Sequence, residues 1–159
     1  MIDNVLLTEL KSCKKLVQKL KPNKEKTQYN HKQQTILIDS DNRKYSFEIF
    51  TRQNLDLPND FSVWLLWKWP ERAILLCRYN WDHGGHRNKL ENEMIGWYHM
   101  HQYNKKYKDA WLNDDAYAEA TNIYKTFPQA LFTLFKDYHI ENYSDYFPEL
   151  PSEKSLFTF

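Results

Sequence analysis

The chain has 159 residues, the size of one ordinary domain with a hydrophobic core of its own. Its apolar content of 42% and aromatic content of 16% predict a core built largely from Trp, Tyr and Phe. No apolar run approaches the roughly 20 residues that a membrane-spanning helix needs. The start, Met1 to Asn4, lacks the basic lead of a secretory signal. We therefore expect a cytoplasmic protein that does not associate with a membrane.

The two cysteines do not indicate a disulfide framework. Cys13 and Cys77 each lie among apolar residues, which is typical of buried thiols in a reducing compartment.

The net charge of +1 hides an uneven distribution along the chain. Residues 1–34 hold eight lysines against three acids, whereas residues 109–159 hold three lysines against nine acids. A basic N-terminal segment can meet a phosphate backbone. The alternative is that the two charged ends solubilise the protein or attract each other.

The pattern begins as a helix and then changes to strands. Apolar residues spaced by three and four predict a helix over 3–21, followed by a polar connector over 22–34. Alternation predicts strands at 35–39 and 43–51 around a turn at 40–42. Three further aromatic-rich strands are predicted at 61–69, 72–81 and 94–103.

Helical spacing returns after residue 110. It predicts one helix over 114–127, a second helix that begins at Pro128, and a tail over 141–159. The predicted fold class is α+β, with an N-terminal helix, an antiparallel sheet of about five strands and two C-terminal helices packed on one face. All 159 residues form one predicted domain, divided into 1–34 (basic helix and connector), 35–104 (sheet), 110–140 (helices) and 141–159 (tail).

Four of the six histidines fall within nineteen residues, and this cluster is the strongest chemical feature of the chain. Residues two apart on a strand share a face, so His99 and His101 should project side by side, as should Arg78 and Asn80. If the two strands pair, all four side chains share one face. The loop between them would bring His83 and His86 to its rim.

The cluster suits acid–base cleavage of RNA without a metal or another cofactor. One imidazole would act as general base and another as general acid. The catalytic candidates are His83, His86, His99, His101 and Tyr79, and the phosphate-binding candidates are Arg78, Arg87 and Asn80. Tyr79 or Tyr103 could add a proton donor or a surface on which a base stacks.

Two other interpretations of the histidines stay open. His83, His86, His99 and His101, with Asp82, could ligate a metal ion, although no acid follows His101 closely as it does in cupin sites. The histidines could also be structural, with hydrogen bonds between strands and a turn at Gly84-Gly85.

The arginines and histidines of residues 78–101 also resemble motifs of known protein families. Arg78-Tyr79-Asn80, His83, His86-Arg87-Asn88 and the His99-x-His101 pair resemble the signature of a family of small uncharacterised bacterial and phage proteins. More distantly, the arginine–tyrosine strand followed by histidines is similar to TumE-like toxins of toxin–antitoxin modules. The resemblance covers residues 61–104. The first family implies no known activity, and the second implies a toxin-like role.

These observations predict an intracellular, nucleic-acid-directed protein, either a ribonuclease-like toxin or a related mobile-element protein. Its partners would be RNA or a protein such as an antitoxin. The alternative is a non-enzymatic binding protein, such as a phage-encoded inhibitor of a host defence system, which would use the charged ends and exposed aromatics as its interface. Imidazoles that converge in a concave pocket favour chemistry, whereas histidines dispersed on a flat face favour binding.

Three tryptophans and two isolated histidines carry no functional prediction. Trp64, Trp67 and Trp69 are expected to pack in the core and at the sheet edge rather than to bind a nucleotide. His31 and His139 stand apart from the cluster.

Overall fold

A computed structural model describes residues 2–21, 29–81 and 84–151 of the chain. In these residues it shows an α+β fold. The helices are α1 (Asn4–Ser12), α2 (Lys105–Asp109) and α3 (Phe127–Asp137), with a 3-10 turn at Tyr143–Asp145. The strands are β1 (Lys15–Lys21), β2 (His31–Ser40), β3 (Ser46–Asn54), β4 (Phe61–Lys68), β5 (Ala73–Asn80), β6 (His86–Asn88), β7 (Glu93–Ile95), β8 (His99–Gln102) and β9 (Ala118–Ala120).

Most of the strands form one antiparallel sheet in the order β1-β2-β3-β4-β5-β8-β9. Strands β6 and β7 form a separate two-stranded hairpin between β5 and β8 in the chain. The predicted fold class is thereby confirmed in outline: an N-terminal helix, an antiparallel sheet and a C-terminal helix. The sheet is larger than the five strands predicted.

The predicted helix over 3–21 is wrong beyond Ser12. Asp3 caps α1 by accepting a hydrogen bond from the Leu6 backbone N–H at 2.7 Å, but the chain then extends into β1. Leu16, Val17 and Leu20 fit both a helical spacing and a strand interrupted by a bulge. Pairing with β2 gives hydrogen bonds to the backbone of alternate residues of β1. That tertiary contact outweighs the local preference for a helix.

The predicted strand over 94–103 is interrupted. Its two ends are β7 and β8, which belong to different sheets, and Gly96, Trp97 and Tyr98 lie between them.

The predicted helix over 114–127 is also wrong, because its middle is β9. Ala118–Ala120 pairs with β8, which would otherwise be an unpaired edge strand. The second predicted helix is confirmed as α3, with Pro128 in its first turn and the Thr126 hydroxyl as its N-cap.

One face of the sheet is apolar and carries the core. Helix α3 packs on it against β4 and β5. The fully buried side chains of this core include Phe47, Ile49, Leu65, Leu76, Leu134 and Phe135. Cys77 is buried there, as predicted, and Cys13 is half-buried; both are free thiols.

The two charged ends of the chain meet in the fold. The Lys14 ammonium lies 2.8 Å from the Glu141 carboxylate. The buried Lys15 donates to the backbone carbonyls of Cys13 at 2.8 Å and Tyr138 at 3.0 Å, which joins the end of α1 to the end of α3. Part of the basic N-terminal segment therefore forms an ionic contact with the acidic C-terminal part of the chain. The described residues include no helix of the length and apolarity needed to cross a membrane.

Candidate functional site

A polar cleft of about 340 Å³ lies on the face of the sheet opposite α3. The hairpin β6-β7 and the glycines before it contribute one wall. The side chains and glycines that line the cleft are Arg52, Ser62, Trp64, Arg78, Asn80, Gly84, Gly85, His86, His99 and His101. It therefore contains most of the residues that the sequence singled out.

Strand pairing explains how distant residues reach this cleft. Arg78 on β5 is directly opposite His101 on β8. Arg52 on β3 is opposite Ser62 on β4, and Ser62 is opposite Asn80. Since directly opposed residues of antiparallel strands share a face, these pairs form two polar rows across four strands.

Three imidazoles converge in the cleft. The ring centres of His86 and His99 are 5.7 Å apart, and each lies 4.8 Å from that of His101. His99 and His101 share a face of β8, as their alternation predicts. His83, the fourth histidine of the predicted set, and Asp82 lie outside the described residues.

His101 is held in one neutral form. Its Nε2 lies 2.9 Å from an Arg78 Nη2, and its Nδ1 lies 2.6 Å from the Asp115 carbonyl oxygen. A guanidinium can only donate and a carbonyl can only accept, so Nε2 carries the lone pair and Nδ1 the proton. Burial, with Arg78 beside it, lowers the pKa of His101 to about 3.

His31 repeats this arrangement on the other side of the cleft. Its Nε2 accepts from Arg52 Nη2 at 2.9 Å, and its Nδ1 donates to the Tyr29 carbonyl at 2.7 Å. The Asp60 carboxylate is 3.6 Å from the same Nε2, beyond hydrogen-bond distance. Each arginine of the cleft thus contacts a histidine Nε2.

His86 and His99 are anchored differently. His86 Nε2 donates to the Ala116 carbonyl at 2.9 Å, and His99 Nδ1 donates to the Gly96 carbonyl at 3.0 Å. When the ring is neutral, the nitrogen that carries the lone pair is Nδ1 in His86 and Nε2 in His99. In the described hydrogen bonds the partners of His86 and His99 are backbone carbonyls, whereas His101 and His31 each also contact an arginine.

The two arginines of the cleft differ in their ion pairs. Arg78 Nη1 pairs with Asp115 at 3.0 Å, whereas Arg52 has no carboxylate within ion-pair distance among the described residues. Three buried polar atoms of residues that line the cleft have no hydrogen-bond partner among the described residues: Trp64 Nε1, Arg78 Nε and Asn80 Oδ1. Trp64 Nε1 and Arg78 Nε are donors, and unpaired donors beside two arginines are suited to binding an anion.

Two predicted site residues lie away from the cleft. Tyr79 points to the core face, where it stacks on Tyr124 and donates to the Asp137 carboxylate. Burial raises the pKa of its phenol far above the ordinary value. Arg87 alternates with His86 on β6, is exposed, and donates to Asn92 at 2.6 Å. Tyr103, the other predicted tyrosine, is buried in the core.

Sequence reasoning missed Arg52, His31, Ser62 and Asp115, and it assigned Trp64 to packing alone. The alternation of β3 could have indicated Arg52, since it shares a face with Phe50 rather than with the buried Ile49 and Thr51. No local signal marks His31 or Asp115, because strand order and a loop bring them to the arginines.

The donor set of the cleft does not favour a metal ion. Within residues 2–21, 29–81 and 84–151, no group of three or more His, Cys, Asp or Glu side chains is arranged to hold one. Both nitrogens of His101 are engaged, and the adjacent Arg78 would repel a cation.

Comparison with known proteins adds no assignment. No family model matches this chain, and no curated protein or solved structure matches it significantly.

Proposed function

We propose that this protein binds RNA in the polar cleft and cleaves it without a metal ion. The observation that most supports this proposal is the convergence of His86 and His99 beside Arg78 in one concave site, with ring centres 5.7 Å apart. Convergence in a pocket favours chemistry over passive binding.

Each group has a role in such a reaction. Arg78 binds oxygens of the scissile phosphate, which a planar guanidinium can contact through two N–H groups. One of His86 and His99 is neutral and takes the proton of the ribose 2′-hydroxyl as its oxygen bonds to phosphorus. The other is protonated and donates to the 5′-oxygen as the bond from phosphorus to that oxygen breaks. The products are a 2′,3′-cyclic phosphate and a 5′-hydroxyl.

His101 has a different role from the one predicted. A histidine whose lone pair accepts from Arg78 and whose pKa is about 3 is neither a base nor an acid near neutral pH. It positions Arg78. His83 stays in the proposed acid–base set on the sequence argument alone.

The proposed biological setting follows the resemblance to TumE-like toxins. A metal-independent ribonuclease inside a cell would act as a toxin or as part of a mobile element, and an antitoxin would be its natural protein partner.

Exposed aromatics favour a second candidate, a non-enzymatic binding protein such as a phage-encoded inhibitor of a host defence system. Trp111 is 90% exposed and Trp97 is 64% exposed, and large exposed aromatics are enriched at protein interfaces. This candidate predicts that RNA is not cleaved and that Trp111→Ser abolishes binding to a partner protein.

Cleavage of a fluorescent single-stranded RNA tests the first proposal. We expect cleavage that survives EDTA and that follows a bell-shaped pH curve, because one imidazole must be neutral and the other charged. His86→Ala and His99→Ala should each lower the rate about 100-fold or more. The matched control is His139→Asn, which changes an exposed histidine away from the cleft.

Three results would contradict the proposal: wild-type protein that leaves RNA intact, cleavage that EDTA abolishes, or folded His86 and His99 variants that cleave like His139→Asn. Circular dichroism of every variant separates lost chemistry from lost fold.

A further inference from the structure

The two arginines of the cleft are held by matching contacts from opposite sides. His31 lies on β2, on the outer side of β3, and holds Arg52. His101 lies on β8, on the outer side of β5, and holds Arg78. The sheet order is β2-β3-β4-β5-β8, so the two histidines lie outside the two arginines. Each histidine therefore holds its guanidinium on the side away from the other guanidinium.

Strand geometry gives the scale of this separation. Arg52 and Arg78 lie two strands apart, about 10 Å across the sheet, since neighbouring strands are about 4.8 Å apart. They also stand in different polar rows, because Arg52 is level with Asn80 rather than with Arg78, and two residues along a strand add about 7 Å. Two guanidiniums held apart in this way are suited to two separate anions.

Asn80 lies in the Arg52 row and points to a ligand independently. It is only 2% exposed, lines the cleft, and has a side-chain oxygen without a hydrogen-bond partner among the described residues. A buried amide oxygen without a donor is costly unless a ligand supplies one. A sugar hydroxyl or a base N–H group would do so, whereas the phosphodiester group itself has no donor.

We propose that the cleft binds two successive phosphates of a ribonucleotide chain, with Arg78 at the phosphate to be cleaved and Arg52 at its neighbour. His31 and His101 are positioning residues for these arginines. The identification of the Arg78 phosphate as the scissile one rests on the function proposed above. The second subsite rests on the contacts of Arg52.

Binding of ligands that cannot be cleaved tests the second subsite separately from catalysis. The probes are a 2′-deoxy dinucleotide with one internal phosphate and the same dinucleotide with an added 5′- or 3′-phosphate, measured by isothermal titration calorimetry at low salt. For wild-type protein we expect one of the added phosphates to raise affinity at least tenfold, and the end that does so gives the direction of the chain.

Arg52→Gln should remove that gain while binding of the one-phosphate ligand changes less than twofold. Arg78→Gln should weaken all three ligands. The matched control, Arg43→Gln in the β2–β3 turn, should keep the wild-type gain. The second subsite is overturned if neither added phosphate helps, or if folded Arg52→Gln keeps the gain. Binding with this pattern in a protein that does not cleave RNA would leave the subsite standing and refute only the catalytic proposal.

His31 has a test of its own. His31→Ala should lose the gain from the second phosphate, and His31→Gln should restore most of it, since its amide oxygen can still accept from Arg52. If both variants only melt earlier and bind all ligands like wild type, His31 is merely structural and its positioning role is wrong.

Discussion

The two faces of the sheet differ in almost every chemical property, although the same strands build both. The face under α3 is aromatic and aliphatic. Tyr79 of β5 is buried in this face and donates a hydrogen bond to Asp137. The opposite face has two arginines, His99, His101 and Asn80 around a cleft, to which the β6-β7 hairpin adds His86. Arg78 and Tyr79 are adjacent in the chain and yet belong to different faces.

We infer from this difference that strand alternation separates the residues that stabilise the fold from those proposed to bind a ligand. Substitutions on the α3 face should change the free energy of unfolding and spare the cleft. Substitutions in the cleft should change RNA binding and cleavage.

The largest expected effect concerns the core face. Leu134 on α3 is fully buried, so Leu134→Ala should lower the free energy of unfolding by about 3 kcal/mol through lost burial and a residual cavity. Urea denaturation measures the loss, and exposed Val5→Ala on α1 is the control. A folded Leu134 variant with weakened RNA binding would show that the two faces are coupled.

The next effect is a pH dependence that originates in the cleft. The unfolded chain protonates His101 near its ordinary pKa of 6.5, whereas the folded chain does so only near 3. Below pH 6.5 the unfolded state therefore binds more protons, and stability falls until the pH reaches the folded pKa. Between pH 7 and pH 5 this one residue should cost about 2 kcal/mol.

Comparison of wild-type protein with His101→Gln isolates this contribution, because the amide still accepts from Arg78 but does not titrate. Urea denaturation at pH 7 and pH 5 should give a smaller difference for the variant. An identical difference in both proteins would mean that His101 titrates normally in the fold.

A smaller effect separates two arginines that the sequence treats alike. Arg78→Gln should weaken RNA binding about tenfold, the scale of one lost charge-assisted contact. Arg87→Gln should change it less than twofold, since Arg87 lies outside the cleft. Fluorescence anisotropy with labelled RNA measures both, and equal losses would place Arg87 in the binding surface.

The smallest effect concerns Tyr79. Tyr79→Phe removes the hydrogen bond to Asp137 and should cost about 1 kcal/mol of stability. Its rate of RNA cleavage per folded molecule should equal that of wild type. A tenfold slower rate would mean that the Tyr79 phenol takes part in cleavage despite its position on the core face.

Sequence reasoning succeeded where short-range patterns agree with the tertiary contacts. Alternation predicted the β2–β3 hairpin and the strands β4 and β5, and Pro128 predicted the start of α3. It also predicted that His99 and His101 share a face with Arg78, because strand pairing preserves faces. It failed at β1 and β9, where pairing with β2 and β8 overrides a helical spacing.

The residue types in the chain already determined a polar, histidine-rich centre near residues 78–101, because side chains alternate strictly along a strand. Which histidines hold an arginine was decided by the tertiary structure alone. His31 and Asp115 reach their arginines through strand order and a loop. A hydrogen bond between such distant groups leaves no trace in local periodicity, since it depends on how the strands are ordered rather than on what each strand contains.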